Sequence, residues 1–585
     1  MLDVDSLLKD YFQNKEEDKS KFLMKAASSV LKKLLHQDEI NHFIETNQYL
    51  EGLEFNDAVL DHFNFSFQVS NKDRARIPDH RRVLIVANHP LGSLDGLALL
   101  KLISEIRTDV KIVATSLLNC IDPLQSLFLS ADNFSGEQRN GINPIVAALE
   151  ADQAVILFPT GDVSRISPLG VRDGKWNTGF LSLAKMTQTP ILPIFIDGKN
   201  STLFYGLSGI YKPLGTLMLV NEMFNQKGSE IIFRIGKPIP WESIAAMDLS
   251  KKAIAKMMRK QVYWLGKKKK KELFKPIENI IHPVRTKLIR KELKASELIG
   301  KTHDGKHIYL FDYLPNSSVM REIGRLRELS FRQVQEGTGR ALDIDRYDRY
   351  YRHLILWDEE ELEIIGSYRI GEAAKILKKY GESGLYTHSL FEFTPALISK
   401  LEHAIELGRS FIQPRYQGKH ALDYLWYGIG AYLYQHPEVR YMLGPVSLST
   451  ALPELVQKNI ASFYSQLFGS SEVLAIPRFP FDWKESEIDI SFPPITNESE
   501  YKQAYAMLKE KLSQVGVKIP ILYKQYVELC QPGGCQFLGF NVDPNFSNCV
   551  DGLILVHIEA IKEKKYQRYI ESHATISKRI VSAGK

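Results

Sequence analysis

The stretch VLIVANHPLGSLDG, residues 83–96, decides the fold. Four apolar residues rich in β-branched side chains read as a buried strand, and Pro90 and Gly92 then break it before a helix begins near Asp95. Strand followed by turn followed by helix is the opening of an α/β unit. Working outward, the apolar runs VKIVATS (110–116), AVILFP (154–159) and ILPIFI (191–196) alternate with helical spacing such as LDGLALLKLISEI (94–106), so residues 76–265 are expected to form an α/β domain. Upstream, KFLMKAASSVLKKLL (21–35) and INHFIETNQYLEGLEF (40–55) predict a helical cap over residues 1–75.

A second α/β domain is expected over residues 301–585. It opens with the strand HIYLFDY (307–313), the amphipathic helix SSVMREIGRLRELSFRQV (317–334) and the strands RHLILWD (352–358) and LEIIGSYRIG (362–371). Between the two domains, residues 266–300 are Lys-rich, carry Pro276 and Pro283, and read as a basic linker. A chain of 585 residues exceeds what one core supports, which fits two domains.

Composition excludes several classes. With 44% hydrophobic and 25% charged residues, the chain is neither disordered nor fibrous. Four Cys form no disulfide framework and suit a reducing compartment, and no metal-ligand spacing is present. No apolar run approaches the roughly 18 residues of a membrane span, and the acidic start MLDVDSLLKD is unlike a signal peptide. The expected location is cytoplasmic, peripheral on the inner membrane face.

The net charge of +6 has one source. Residues 251–271 hold ten Lys or Arg and no acid, while the rest of the chain has 65 basic residues against 69 acidic ones. On a helix, Ile254, Met257, Met258, Val262, Trp264 and Leu265 share one face, with Lys252, Lys256, Arg259 and Lys260 opposite. This pattern, with Lys267–Lys271 behind it, points to an anionic membrane surface or to a surface helix packed on its own domain. Nucleic-acid motifs are absent around it.

Two loops carry chemistry in the first domain. His89 falls at the C-terminal end of a strand, the edge of an α/β sheet where ligands bind. Held in one tautomer by Asp95, its imidazole can take a proton from a hydroxyl that attacks an acyl carbon. Six positions apart on a continuous helix, the two side chains would point about 120° away from each other, so the pairing depends on the intervening Pro-Leu-Gly-Ser loop. The second strand ends in Phe158-Pro159-Thr160-Gly161-Asp162-Val163-Ser164-Arg165. Together the motifs resemble the lysophospholipid and glycerolipid acyltransferase superfamily over about residues 70–245. The resemblance implies that His89 is the general base, that Asp95 orients it, and that Asn88, Gly161, Asp162 and Arg165 shape the acceptor pocket. Five residues stand between His89 and Asp95 where four are usual, and Thr160 replaces the usual Glu, variations that resemble the branch labelled hemolysin-like.

In the second domain, ALDIDRYD (341–348) places Asp343, Asp345 and Asp348 before a strand, and Arg369 lies in the next one. Further on comes ELGRSFIQPRYQGKH (406–420), with Glu406 and Arg409, then Arg415 and Gly418 before a helix, a place suited to phosphate. The acids are candidates for amine recognition or base, and the arginines for carboxylate or donor contacts. These features resemble the GNAT fold over about residues 300–560, and the wording resembles amino-acid-lipid N-acyltransferases and, more distantly, acyl-homoserine-lactone synthases. The degenerate Arg415-x-x-Gly418 favours acyl carrier protein over coenzyme A as donor, and no bound cofactor is implied.

The two halves joined resemble the bifunctional ornithine-lipid synthases. That resemblance implies N-acylation of an amino acid with a 3-hydroxyacyl chain by the second domain, then O-acylation of the lyso-lipid by the first. Alternatives are a lysophospholipid acyltransferase carrying a non-catalytic carrier-docking domain, or a thioester hydrolase.

Overall fold

The structure, a computed structural model, describes residues 32, 36–114, 121–130, 143–167, 170–210, 212–267, 271–418, 420–483 and 497–573, with backbone alone at 207–217. The predicted helix at 21–35, apart from Lys32, and Lys268–Lys270 of the basic run lie outside the described residues. The chain divides into two units, 1–282 and 283–585.

The first unit is built on strands β1 (Ser66–Val69), β2 (Val83–Ala87), β3 (Val110–Ala114), β4 (Phe128–Ser130), β5 (Ala154–Leu157), β6 (Arg165–Ser167), β7 (Gly170–Arg172), β8 (Ile191–Asp197) and β9 (Glu230–Ile235). Seven of them form one sheet in the order β1-β9-β8-β2-β5-β3-β4, and β6 and β7 pair as a separate hairpin. Every residue of β2 and β5 is buried, as expected of strands covered on both faces. β2 and β5 are parallel neighbours, Val83 opposite Ala154 and Val86 opposite Leu157. Their C-terminal ends therefore lie side by side, and this register brings the loops after residues 87 and 157 together.

Two helices of the expected cap are present, Gln37–Thr46 and Gly52–His62, and the latter buries Phe55, Val59 and Leu60 in the core. The basic helix spans Lys251–Gly266, with the Ser250 hydroxyl capping its N-terminus. Its apolar stripe is used inside the unit: Ile254, Ala255, Met258 and Val262 are buried in a cluster with Leu84, Val86 and Ile191. The surface-helix reading thus describes its apolar face, while Lys252, Lys256 and Lys260 remain exposed.

The segment expected as a linker is mostly ordered into its neighbours. The Leu273 N–H donates to Gln261 Oε1 at 2.8 Å, the Ile277 N–H to the Pro238 carbonyl at 3.0 Å, and Asn279 Nδ2 to the Ala75 carbonyl at 2.9 Å, all within the first unit. In the second unit, the helix Thr286–Lys294 presents Glu292, whose carboxylate accepts the N–H groups of Ser318 and Val319 at 2.9 and 3.0 Å. These are free donors at the start of the helix Ser318–Gln333.

The second unit contains β10 (Glu297–Lys301), β11 (His307–Asp312), β12 (Arg352–Asp358), β13 (Glu363–Glu372), β14 (Phe391–Phe393), β15 (Ala404–Ile412), β16 (Tyr441–Leu448), β17 (Ala475–Pro477), β18 (Cys535–Asp543) and β19 (Cys549–His557). Eight form a sheet in the order β10-β11-β12-β13-β15-β16-β19-β18. All neighbours are antiparallel except β15 and β16, which run parallel and pair only from Ala404–Glu406 to Tyr441–Leu443. Beyond that point β15 continues against β13 and β16 against β19, so the two strands part just before Arg409.

Candidate active sites

In the first unit the His89 ring and the Asp95 carboxylate meet. Asp95 stands in the first turn of the helix Leu94–Ser104. Its Oδ2 accepts both His89 Nδ1 at 3.0 Å and the Leu91 N–H at 2.9 Å, and its Oδ1 accepts the Gly96 N–H at 3.1 Å. The turn works because Gly92 has φ +90°, and a Cβ there would lie 2.5 Å from Val163 Cγ1. Asp95 is fully buried, whereas 17% of the His89 side chain is exposed. Burial would raise the Asp95 pKa, but the His89 charge and hydrogen bond and the N–H groups of Leu91 and Gly92 hold it below the usual range. Burial likewise opposes protonation of His89, yet Asp95, with Asp173 and Asp162, holds its pKa above the ordinary 6.5. An ionised Asp95 on Nδ1 places the ring proton there and leaves Nε2 as acceptor, the tautomer a general base needs.

His89 stacks on Phe158, ring centroids 4.0 Å apart, and both line a cavity of about 940 Å³. Gly161 and Asp162 are among the lining residues, and much of the wall is apolar, with side chains such as Phe43, Phe55, Leu97, Ile112 and Met223. Such a shape suits an alkyl chain with its reacting end at the imidazole. The other expected acceptor residues behave differently. Asn88 is buried, and its amide bonds Ile196 of β8 twice, donating to the carbonyl at 2.9 Å and accepting the N–H at 2.8 Å. It clamps β2 and β8 together from a buried position. Arg165 pairs with Asp162 through Nε at 3.2 Å and Nη2 at 3.1 Å, and its Nη1 is buried without a hydrogen-bond partner.

The second unit gathers most of its predicted residues into one buried ionic network rather than a solvated acidic turn. Arg369 Nη1 donates to both oxygens of Asp345, at 2.7 and 2.8 Å, and to Asp348 Oδ1 at 3.3 Å, while Arg327 Nη1 donates to Asp348 Oδ1 at 2.8 Å. Burial works against ionisation of both aspartates, but the guanidinium groups outweigh it and lower their pKa values. Both carboxylates are thereby held ionised by the neighbouring guanidinium groups. Glu406, whose pKa burial raises, accepts the Tyr351 hydroxyl and the N–H groups of Tyr386 and Thr387, at 3.1 and 2.6 Å. His353 is buried and stays neutral, its pKa pushed down to about 4 by burial despite the Asp348 charge.

Arg409, at φ +47°, is the hinge between this network and the parted strands. Its Nε lies 3.2 Å from Asp343 Oδ2, its Nη1 donates to the Tyr386 hydroxyl at 3.3 Å, and Tyr386 donates onward to Asp543 Oδ2 at 2.7 Å. Two carboxyls that sequence reasoning missed interact electrostatically with Arg409. Burial pushes Asp551 up to about 7 and Glu336 up to about 8, the latter raised further by Asp551. Asp551 is fixed by the Ser447 hydroxyl at 2.6 Å, and the Glu336 loop is tied down by Ser547, which donates to the Gly337 carbonyl at 2.6 Å. No motif marks these two acids, because they come from a loop and a late strand far apart in sequence.

Arg415 and Gly418 do not form a free phosphate loop. Arg415 pairs with Glu363 and Glu361 and lies over the Tyr416 ring, so its charge is already neutralised. Gly418 is exposed with φ +76°, and Lys419 lies outside the described residues. Among the described residues no cluster suited to a metal ion is found, and no helix is long and apolar enough to cross a membrane.

These two arrangements define an acyltransferase with a mixed α/β acyltransferase fold joined to a GNAT-like fold. The Acyltransferase family matches residues 12–271, and the Acetyltransferase (GNAT) domain family matches residues 326–427. The chain is 31% identical over 315 residues to the glycine N(alpha)-acyltransferase of Phocaeicola vulgatus, covering 51% of this chain and 94% of that protein. It is 28% identical over 250 residues to the lyso-glycine lipid O-acyltransferase of the same organism, covering 42% of this chain and 88% of that one. With the L-ornithine N(alpha)-acyltransferase of Agrobacterium fabrum it shares 24% identity over 262 residues, covering 44% and 79%. The chain belongs to the lipid acyltransferase family that includes these amino-acid-lipid N- and O-acyltransferases.

Proposed function

We propose that this chain makes a diacylated amino-acid lipid in two steps, each unit performing one. The second unit transfers a 3-hydroxyacyl group to the α-amine of an amino acid, and the first esterifies the new lipid's hydroxyl with a second chain. One observation carries the reading: a single chain resembles both an amino-acid N-acyltransferase and a lyso-lipid O-acyltransferase, and it is supported by the His89–Asp95 hydrogen bond in the first half and the raised Glu336 carboxyl in the second. Glycine is the proposed amino acid, because the more similar relatives are named for it, and ornithine is the second choice.

In the O-acyl step, His89 takes the hydroxyl proton at Nε2 while the oxygen attacks the thioester carbon, and the imidazolium returns that proton to the leaving thiolate. Asp95 stabilises the imidazolium, and the apolar cavity takes the chain. In the N-acyl step, the Glu336–Asp551 pair accepts a proton from the ammonium, the free amine attacks the thioester carbon, and as the C–S bond breaks the second proton shed by the nitrogen goes to the leaving thiolate. Acyl carrier protein is the proposed donor, with acyl-coenzyme A as alternative. The exposed Lys252, Lys256 and Lys260 are proposed to rest against an anionic membrane surface on the cytoplasmic side.

Lipid profiling in a host that lacks such lipids tests this. Wild type should yield a phosphorus-free, amino-acid-containing diacyl lipid, and His89→Ala should accumulate its monoacyl precursor. Mass spectrometry of the head group identifies glycine or ornithine. Failure of both proteins to produce any amino-acid lipid would overturn the reading.

A further inference from the structure

The loop that carries His89 is held by a second carboxylate. Asp173 directly follows β7 and is buried. Its Oδ1 accepts the His89 backbone N–H at 3.2 Å and the Ser164 hydroxyl at 2.5 Å, and its Oδ2 accepts the Trp176 indole N–H at 2.8 Å. The Ser164 N–H closes the ring by donating to the His89 carbonyl at 2.7 Å. His89 and Ser164 stand in the loops after β2 and β5, so one carboxylate from a third segment fastens both. Behind it, the Asp173 N–H donates to the Tyr263 hydroxyl at 2.7 Å, and Arg259 of the same helix reaches the Gly174 carbonyl. The basic helix is thereby joined by hydrogen bonds to the loop bearing the imidazole.

A buried carboxylate is costly, and this one is matched to its three donors. Asparagine offers one acceptor oxygen and an NH₂ group, so it would set a donor against either the Trp176 indole or the His89–Ser164 pair. Burial raises the Asp173 pKa while the hydrogen bonds from Ser164, Trp176 and the His89 N–H oppose it, and its charge acts on His89 together with those of Asp95 and Asp162. Around the imidazole, Asp95 comes from the helix Leu94–Ser104 and Asp162 from the turn after β5, where it is paired with Arg165; Phe158 is stacked on the ring, and Glu39 and His62 line the same cavity.

We propose that Asp173 is a positioning residue for O-acyl transfer, locking the His89 loop against the Phe158–Arg165 turn and adding its charge to that of Asp95 when the imidazolium forms. The proposal rests on the reading of His89 as the base, and it concerns a residue that does not touch the substrate. Removing it should slow the step made in the transition state while leaving acceptor binding nearly intact.

The test is steady-state O-acyl transfer by full-length Asp173→Asn, with a monoacyl amino-acid lipid in detergent micelles as acceptor and acyl carrier protein thioester as donor. The kcat should fall roughly tenfold or more while the acceptor KM stays within about twofold. The acid limb of the kcat/KM profile should move to lower pH, because one negative charge favouring the protonated ring is gone. Asp173→Glu should recover part of the rate. Wild-type kcat with an unmoved acid limb in Asp173→Asn overturns the proposal. Should that variant fail to fold, Ser164→Ala removes one tie and keeps the charge: a reduced kcat with an unmoved limb supports the proposal, and an unchanged kcat overturns it. His89→Ala measured alongside separates the two readings, since full O-acyl transfer there removes the base itself, whereas loss there with an unaffected Asp173→Asn removes only this inference.

Discussion

In the first unit one partly exposed imidazole, supported by a single carboxylate on its ring, faces an apolar cavity. The second unit packs Arg327, Arg369 and Arg409 among Asp343, Asp345, Asp348, Glu406 and Asp543, and the His353 it contains is held neutral and sealed off. The difference follows from the proton each proposed reaction must move. A lipid hydroxyl is a very weak acid and needs a base poised near neutrality at the moment of attack, which an imidazole beside a carboxylate supplies. An ammonium gives up its proton more readily, and a carboxyl raised toward neutrality by burial is sufficient to take it.

The comparison breaks most sharply at His89. Replacing it with Ala should cost O-acyl transfer about 10²–10⁴-fold, the usual worth of a positioned acid–base group, and leave N-acyl transfer unchanged. Separate assays with a free amino acid and with a monoacyl lipid measure the two. Because, against the effect of burial, Asp95 raises the His89 pKa above 6.5 and the neutral ring is the active form, wild-type O-acyl transfer should rise with pH on a limb that lies above that of a free imidazole. Equal loss of both activities would mean that the two sites are not independent.

Arg369 gives the next largest effect, and it acts on stability. Its guanidinium is buried to 1% exposure and pairs with Asp345 and Asp348, so Arg369→Met takes the nearest cation from Asp345 and leaves the buried Asp348 with Arg327 alone. The unfolding transition of the second unit should lose about 3–5 kcal/mol, read by chemical denaturation. The same substitution at exposed Arg440, paired with Glu559, should change little.

What could be read in advance differs between the sites for a physical reason. His89 and Asp95 lie within one turn-and-helix segment, and the parallel pairing of β2 with β5 is the natural outcome of two buried apolar runs, so both loops were legible from local pattern. Asp173, Trp176 and Tyr263 were not, since a hairpin and a helix from later in the chain bring them in. In the second unit the pattern DIDRYD marked three acids, but it could not reveal that Arg327 and Arg369 would pair with two of them. Asn88 and Arg415 were misread because adjacency to a motif or a helix does not say which partner a side chain meets first: the Ile196 backbone for one, Glu363 for the other.

Glu336 sharpens the contrast in the other direction. Burial raises Glu336 to about 8 and Asp551 to about 7, so N-acyl transfer should climb across that range as they ionise. Glu336→Gln should lower the rate roughly tenfold and shift the remaining limb from about 8 toward about 7, where burial and the Asp543 charge place Asp551. An unshifted limb would assign the proton to another group.

The smallest effect is expected where the notion of a membrane helix meets the structure. With Ile254, Met258 and Val262 spent on the core, only the half-buried Met257, Trp264 and Leu265 remain of the apolar face of the helix Lys251–Gly266, and attraction is expected mainly from exposed charge. Charge alone is screened over a Debye length of about 8 Å at physiological salt. Lys252→Gln with Lys256→Gln should therefore weaken binding to phosphatidylserine-containing vesicles only several-fold at low salt and scarcely at all at high salt, as seen in sedimentation. Binding that survives high salt and both substitutions would instead place the contact on an apolar surface elsewhere in the chain.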